Sequence, residues 1–378
     1  MDISTICVHG CEKKFDTTGA VAVPIFASAT FAHPCVGQST GFDYSRSQNP
    51  TNEHLEHTVA ALESGSQAVA FSSGMAAVSA LMELFSPGDH IVATYDLYGG
   101  TFRLFSRISQ KNGVTFSYAD SVENIKKEIT PSTKAVFIET PSNPMLRVTD
   151  ITAVAKITHE KKILLIVDNT FLTPYFQKPL SLGADIVLHS GTKYLGGHND
   201  TLAGLLAAKD NSLSEQFRFI VKTTGACLSP FDSFLIIRGI KTLAVRMERQ
   251  QETALKIAHW LCGQNNVAVV YYIGLPNHPD YELSCRQASG FGAMISFTVR
   301  NEQMAVKILE NVKVIKYAES LGGVESLITY PMLQTHADLP EDERNARGID
   351  GCLLRLSVGL ESAKDLIADL EQAMGVSV

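Results

Sequence analysis

Residues 163–200 read ILLIVDNTFLTPYFQKPLSLGADIVLHSGTKYLGGHND, and this stretch decides the fold class. It contains two short apolar runs, each followed by polar residues: Asp168 closes the first run, and Lys193 comes shortly after the second. Continuous apolar runs of this length are typical of strands buried on both faces of a parallel sheet. A lysine placed just past such a strand, among hydroxyls and glycines, is expected in a cleft. Desolvation there lowers its proton affinity and makes it a nucleophile toward a carbonyl carbon.

The alternation of strands and helices extends outward from this stretch. Helical spacing occurs in NEHLEHTVAALESG, SSGMAAVSALMELF, GTFRLFSRISQKNG and residues 150–161, and strands are predicted at HIVATYD, VTFSYAD, AVFIET, ILLIVDNT and DIVLHS. This order predicts an α/β fold with a large, mostly parallel sheet covered on both faces. Near residue 245 a long helical stretch leads into GFGAMISFTV, KVIKYAESLGG, GCLLRLSVGL and a final helix. We therefore expect an irregular N-terminal segment (1–50), a large domain (51–245) and a smaller C-terminal α/β domain (246–378).

Composition and charge narrow the function classes. The chain has 45% hydrophobic and 19% charged residues, as ordinary soluble globular proteins do. Its formal net charge of -7 argues against nucleic acid or an anionic membrane as the main partner. No run of ~18 apolar residues predicts a membrane span, and no secretory signal pattern opens the chain, so we expect a cytoplasmic protein. The seven cysteines form no C-x-x-C pair, which favours free thiols and no metal.

Asp168 and Lys193 lie 25 residues apart, at the ends of successive predicted strands. The carboxyl ends of parallel strands meet at one edge of the sheet, where open α/β sheets bind ligands. Asp168 alone could equally cap the following helix. Together the two residues supply what pyridoxal phosphate requires as an electron sink. One is an amine that forms a Schiff base, and the other is a carboxylate that keeps the pyridine nitrogen protonated.

Other loops at the same predicted edge offer groups for a phosphate and a ring. SSGM, at a helix start, presents the N–H groups of Gly74 and Met75 together with the positive end of the helix dipole. Ser190 and Thr192 can add hydroxyls, and Tyr98 is either a ring that stacks on the cofactor or a plain turn aromatic. No G-x-G-x-x-G follows the first strand and no Gly-Lys dipeptide occurs. Their absence argues against a dinucleotide-binding oxidoreductase and a phosphate-binding loop.

Several motifs resemble the cysteine/methionine-metabolism family of pyridoxal-phosphate enzymes, in order from about residue 17 to 375. They are YSRSQNPT, SSGMAA, DLYGGTFRLF, ETPSNP, VDNTFLTPYFQKPLSLGADIVLHSGTKYLGGH and RLSVGLE. That family includes cystathionine γ-synthases, cystathionine lyases, methionine γ-lyases and homoserine sulfhydrylases. The resemblance implies fold type I, like that of aspartate aminotransferase. It also implies a homotetramer, built as a dimer of dimers, with active sites shared between subunits and the N-terminal segment as an arm across the interface.

The resemblance also implies a role for each matching residue. Lys193 resembles the Schiff-base lysine, which also carries protons. Asp168 resembles the residue that holds the ring nitrogen. Tyr98 resembles the residue that stacks on the ring face, and it is also a candidate acid. The groups implied to hold the phosphate are Gly74, Met75, Ser190 and Thr192, with Tyr44 and Arg46 reaching it from a neighbouring subunit. The groups implied to lie at the substrate are Asn143, also near the ring hydroxyl, Arg355 as the clamp for the α-carboxylate, and Ser320.

Substrate choice must come from residues at the distal end of the site. Asp43, Arg103 and Glu319 match positions where members that handle cystathionine carry an acid, an arginine and a glutamate. Two acids and one arginine suit the second amino-acid group of cystathionine. Gly100 stands where methionine-cleaving relatives carry a cysteine, which argues against methionine as the main substrate.

The predicted reaction is carbon–sulfur cleavage of cystathionine, with cysteine or homocysteine as further substrates. HND after the lysine motif and THADLPEDER near the C-terminus resemble bacterial cystathionine lyases, whereas Asp43 resembles bacterial γ-synthases. The alternative is therefore a cystathionine γ-synthase that acts on an O-acylhomoserine, or a methionine γ-lyase or sulfhydrylase. These motifs are nearly the same for β-elimination, γ-elimination and γ-replacement.

Overall fold

A computed structural model describes residues 1–10, 19–337 and 341–375. The described strands are β1 Gln67–Phe71, β2 His90–Thr94, β3 Thr115–Ala119, β4 Thr133–Glu139, β5 Leu164–Asp168, β6 Ile186–Ser190, β7 Gly204–Ala208, β8 Val267–Tyr271, β9 Met294–Val299, β10 Lys316–Tyr317, β11 Leu327–Thr329 and β12 Leu353–Ser357. The described α-helices are α1 Ile3–His9, α2 Pro50–Glu63, α3 Gly74–Met82, α4 Gly99–Leu104, α5 Val122–Glu128, α6 Ile151–Lys161, α7 Thr173–Phe176, α8 Asn211–Thr224, α9 Pro230–Ile240, α10 Leu243–Cys262, α11 Tyr281–Gln287, α12 Glu302–Asn311, α13 Glu341–Ala346 and α14 Ala363–Met374. Residues 338–340 of the THADLPEDER motif lie outside the described residues.

The larger sheet has seven strands in the order β1-β7-β6-β5-β4-β2-β3. Only β7 is reversed, pairing antiparallel with both β1 and β6, while the other adjacent pairs are parallel. The predicted α/β fold with a large, mostly parallel sheet is therefore confirmed. The strands β1 and β7 are absent from the sequence prediction. Their segments QAVAF and GLLAA are rich in alanine and leucine, which do not favour strand over helix.

Helices cover both faces of this sheet, which explains the nearly continuous apolar character of its strands. Along β5, Leu165 and Val167 pack with α2 and α6 on one face, while Ile166 packs with α3 and α8 on the other. All three side chains are fully buried. Side chains alternate across a strand, so each helix layer receives every second residue. The helices begin where the sequence offers caps. For example, Asn49 accepts a hydrogen bond from the N–H of Thr51 at the start of α2.

The smaller sheet has five strands in the order β10-β11-β12-β9-β8. Its central strand β12 reads LLRLS and is buried along its whole length, with antiparallel partners on both sides. An arginine in such a strand is expected to have a specific set of acceptors, because a buried unpaired charge is costly.

The boundaries predicted at residues 50 and 245 fall at the first residue of α2 and the third residue of α10. The division into three parts stays a prediction. In residues 19–48 no side chain is buried, and Val21 and Val36 are almost completely exposed. None of the described helices combines the length and the apolar character that crossing a bilayer requires.

Candidate active site

A cavity of about 370 Å³ lies at the carboxyl ends of the parallel strands, which is the size range of small-molecule sites. The loops that follow β1, β2, β4, β5 and β6 all contribute to its wall, and residues from the smaller sheet close it. Of the fifteen predicted site residues, eleven line this cavity: Gly74, Met75, Tyr98, Asn143, Asp168, Ser190, Thr192, Lys193, Glu319, Ser320 and Arg355.

Asp168 ends β5 and lies in register with Glu139 of β4 and Leu188 of β6. Its Oδ1 accepts hydrogen bonds from the hydroxyl of Thr170 at 2.5 Å and from the backbone N–H of Thr170 at 3.0 Å. Among the described residues no group donates to Oδ2, so this oxygen is available to a donor in the cavity. Burial raises the pKa of Asp168, and the Thr170 donors and the charge of His189 lower it. A cation at Oδ2 would favour the carboxylate further.

Lys193 follows β6 in a tight turn, in which the N–H of Gly196 donates to the carbonyl of Gly191 at 2.9 Å. Its ammonium donates to the Ser320 hydroxyl at 2.8 Å. Ser320 has a φ of 87°, a strained value for a residue with a side chain, so the fold holds this hydroxyl in place. Burial, helped by the positive charge of Arg355 and opposed by Glu319, lowers the pKa of Lys193 to about 8. A substantial fraction of the amine is thus neutral near physiological pH.

Arg355 lies in the centre of β12 and is 1% exposed. It donates to the Asn143 side-chain oxygen at 2.8 Å, to the Ser320 carbonyl at 2.9 Å and to the Thr329 hydroxyl at 3.2 Å. Its buried Nε has no hydrogen-bond partner, and none of the described carboxylates forms an ion pair with it. Burial lowers the pKa of Arg355 to about 10, which leaves it charged at neutral pH. A buried guanidinium with a spare donor is suited to a carboxylate ligand.

The N-terminus of α3 forms a second polar wall. The Ser73 hydroxyl accepts a hydrogen bond from the N–H of Ala76 at 3.0 Å. This cap does not use the N–H groups of Gly74 and Met75, which therefore remain available to a ligand. A Cβ at Gly74 would lie 3.1 Å from the Ser190 side chain, so glycine keeps this wall close to the strand-end hydroxyls. The Thr192 hydroxyl accepts from the N–H of Ala203 at 3.1 Å. Helix N–H groups and hydroxyls together fit a phosphate group.

Glu139 and Thr170, which also line the cavity, are missing from the sequence prediction. Glu139 accepts from the backbone N–H of Tyr98 at 2.8 Å and lines the cavity, and burial together with the charge of Asp168 raises its pKa well above the usual range. Thr170 also lines the cavity, where it holds Asp168 and accepts from the N–H of Ser190 at 2.9 Å. Both residues lie inside quoted motifs, ETPSNP and VDNT. Their positions at strand ends could have identified them as site residues.

Four predicted residues do not line the cavity of their own chain. Tyr44 is 47% exposed, and Arg46 stacks over its ring at 5.5 Å and donates to the Lys222 carbonyl. Asp43 is exposed and accepts from the Ser39 hydroxyl at 2.5 Å, and Arg103 is exposed in the last turn of α4. Their roles at a substrate or at a neighbouring subunit stay predictions.

The family described as "Cys/Met metabolism PLP-dependent enzyme" matches residues 4–375. The chain belongs to this family. It is 49% identical to a cystathionine γ-lyase of Bacillus subtilis, over 99% of both chains, and 47% identical to a cystathionine β-lyase of Lactococcus lactis subsp. cremoris, over 98% of both.

A crystal structure of a cystathionine γ-synthase from Xanthomonas oryzae pv. oryzae in complex with cystathionine has the same architecture. Its TM-score is 0.97 at 41% identity, covering 99% of this chain and 98% of that one. Family membership and this match confirm the predicted family, fold type and cofactor, so the chain is a pyridoxal-phosphate-dependent enzyme. The similar proteins include both lyases and a synthase, at similar sequence identity to this chain.

Proposed function

We propose that this enzyme is a carbon–sulfur lyase that cleaves cystathionine. The observation that carries the proposal is the convergence of Lys193, Asp168 and Arg355 on one cavity. The two lyases at 49% and 47% identity support the reaction class. In this proposal Arg355 holds the substrate α-carboxylate and Asp168 holds the ring nitrogen of the cofactor. Lys193 takes the proton from the reacting carbon.

The residues fit pyridoxal phosphate. The free Oδ2 of Asp168 would accept the ring N–H, the N-terminus of α3 with Ser190 and Thr192 would hold the phosphate, and Lys193 would bind the aldehyde carbon. When bound, the cofactor supplies an electron-poor ring that stabilises negative charge on the substrate α-carbon.

The chain's own groups then move protons. Once the substrate amine has taken its place, the released Lys193 would take the α-proton in its neutral form, which its lowered pKa favours, and the Ser320 hydroxyl at 2.8 Å would orient its nitrogen. Arg355 orients the substrate by its planar fork, which fixes the α-carbon opposite the amine. The phenol of Tyr98, which lines the cavity and is 41% exposed, is a candidate to protonate the leaving sulfur.

Features at the distal end support a substrate with a second ammonium group. Glu319 lines the cavity, where its carboxylate would attract such a group. A side chain at Gly100 would place its Cβ 2.5 Å from a ring carbon of Tyr98 and 3.1 Å from the Met75 sulfur. The cysteine found at this position in methionine-cleaving relatives therefore has no room beside the present Tyr98 ring.

Cystathionine γ-synthase is the second candidate, favoured by the close match to a synthase structure. Product analysis separates the candidates. Incubation with cystathionine should give pyruvate with homocysteine for β-elimination, or 2-oxobutyrate with cysteine for γ-elimination. An O-acylhomoserine with cysteine should give cystathionine only for a synthase. Lys193→Ala protein is the control, and turnover that survives this change would contradict the mechanism.

We also propose that residues 1–50 form an arm that completes the active site of a neighbouring subunit in a homotetramer. The arm carries no buried side chain in residues 19–48, and it presents the Tyr44–Arg46 pair to the outside. Mixing Lys193→Ala with Arg46→Ala protein should restore activity through hybrid sites. Confirmed hybrids without activity would reject the sharing. The described cysteines are all free, which suits the reducing cytoplasm that we propose as the location.

A further inference from the structure

The THADLPEDER motif contains a buried histidine that the mechanism above does not use. His336 is completely buried in the turn that follows β11, and the neighbouring Thr335 lines the cavity. A Cβ at Gly99 would lie 2.4 Å from the Thr335 carbonyl oxygen, so a residue with a side chain there would push the turn away from the loop that carries Tyr98. The fold thus brings a fully buried polar side chain to the wall of the site.

Both ring nitrogens of His336 have hydrogen-bond partners, which determine where its hydrogen lies. Nε2 is 3.2 Å from the Asn143 carbonyl oxygen, and Nδ1 is 2.8 Å from the Thr335 hydroxyl. Burial, followed by the charges of Arg355 and Arg347, lowers the pKa of His336 to about 3, so the ring is neutral at physiological pH. A carbonyl oxygen only accepts, so the single ring hydrogen is on Nε2, and Nδ1 accepts from Thr335.

Asn143 connects this histidine to the arginine of β12. Its side-chain oxygen accepts from Nη1 of Arg355 at 2.8 Å, while its backbone carbonyl accepts from His336. The other two acceptors of Arg355, the Ser320 carbonyl and the Thr329 hydroxyl, both bind Nη2. The direction of Nη1 therefore follows the position of Asn143. Because a guanidinium is planar, the positions of Nη1 and Nη2 together determine where the unpaired Nε points.

We infer that His336 is a positioning residue for the substrate carboxylate: by holding the backbone of Asn143, it sets the plane of the Arg355 guanidinium. This inference rests on the proposed function, in which Arg355 binds the α-carboxylate. The contact between a guanidinium fork and a carboxylate depends on their relative orientation, so a rotation of this plane weakens it. His336 has no exposed surface and acts through Asn143 rather than on the substrate.

The test compares two ligands of the full-length holoenzyme, L-alanine and ethylamine, which differ only in the α-carboxylate. The dissociation constant of each is measured at one pH from the change in visible absorption of the bound cofactor. His336→Asn keeps an acceptor for the Thr335 hydroxyl but has no atom at the position of Nε2. We therefore expect the preference for alanine over ethylamine to fall about tenfold. His336→Gln can place its amide N–H near that position and should retain most of the preference.

A double-variant cycle with Arg355→Met separates positioning from general damage to the site. Because His336 acts through Arg355, His336→Asn should not reduce the preference further once Arg355 is absent. His90→Asn is the matched control, since His90 is also buried and hydrogen-bonded, at the opposite end of a strand of the larger sheet, and it should leave the preference unchanged. His336→Met, which buries no polar group, keeps the test available where His336→Asn does not fold.

Three results would overturn the inference alone: an unchanged preference in His336→Asn, an equal loss in His336→Gln, or an equal loss in His90→Asn. A preference for alanine that survives in Arg355→Met would instead overturn the proposed role of Arg355, and this inference with it.

Discussion

The lowered proton affinity of Lys193 can be tested in the cofactor-free chain by changing its two charged neighbours in opposite ways. Arg355 lowers the pKa of Lys193 and Glu319 raises it, after burial as the largest cause. Arg355→Met should therefore raise the midpoint at which Lys193 loses its proton, and Glu319→Gln should lower it. A purely structural disturbance has no reason to act with opposite signs.

The magnitude follows from the pKa shift from 10.5 to about 8. At pH 7 an amine with a pKa of about 8 is neutral in roughly one molecule in ten, whereas an amine at 10.5 is neutral in roughly one in three thousand. Lys193 should thus react with an amine reagent about 300-fold faster at pH 7 than an exposed lysine, for equal access and nucleophilicity.

The assay is competitive labelling with a limiting amine reagent across pH 6–11, followed by peptide mass spectrometry. Surface lysines in the same digest, such as Lys256 on α10, serve as internal controls. A midpoint near 10 for Lys193, or shifts of the same sign in Arg355→Met and Glu319→Gln, would refute the reasoning.

Three further changes test other parts of the molecule. Arg355→Lys loses the planar fork, and KM for cystathionine should rise about tenfold with a smaller change in kcat, as measured by steady-state kinetics. Gly100→Ala should displace the Tyr98 ring and weaken cofactor binding about fivefold in equilibrium dialysis, while an unchanged Kd would show that the ring is not needed there. Arg246→Met removes the buried donor to the Tyr194 carbonyl and one of the donors to the Gly239 carbonyl, and it should lower the free energy of unfolding in urea by about 3 kcal/mol, with exposed Arg249→Met as the neutral control.

The sequence was sufficient to predict those parts of the site that depend on the order of residues within one segment of the chain. Asp168 and Lys193 end successive strands of a parallel sheet, and such strands bring their carboxyl ends together whatever the details of packing. The helix start at Ser73–Gly74 is also local, because capping residues announce it.

The remaining features depend on contacts between distant segments. Arg355 reaches Asn143 across 212 positions of the chain because β12 is central in a second sheet, and apolar periodicity contains no information on how two sheets meet. The reversed strand β7 likewise follows from pairing with β1 and β6 rather than from its own composition. The predicted role of Tyr44 and Arg46 depends on contacts between subunits, which the order of residues along one chain does not determine.

Glu139 makes the ionisation of Asp168 depend on pH. It lies in register with Asp168 at the cavity, and burial raises the pKa of both carboxyls. Above about pH 4 the folded chain therefore binds more protons at these groups than the unfolded chain does, and its stability falls as pH rises toward the raised values. A cation at Asp168 Oδ2 would lower the pKa of Asp168 and so remove the contribution of Asp168 to this loss, while Glu139 stays neutral as the acceptor of the Tyr98 N–H. Stabilisation by a cofactor with a protonated ring nitrogen should thus be greater at pH 7 than at pH 4.5, and this dependence comes from two neighbouring strand ends.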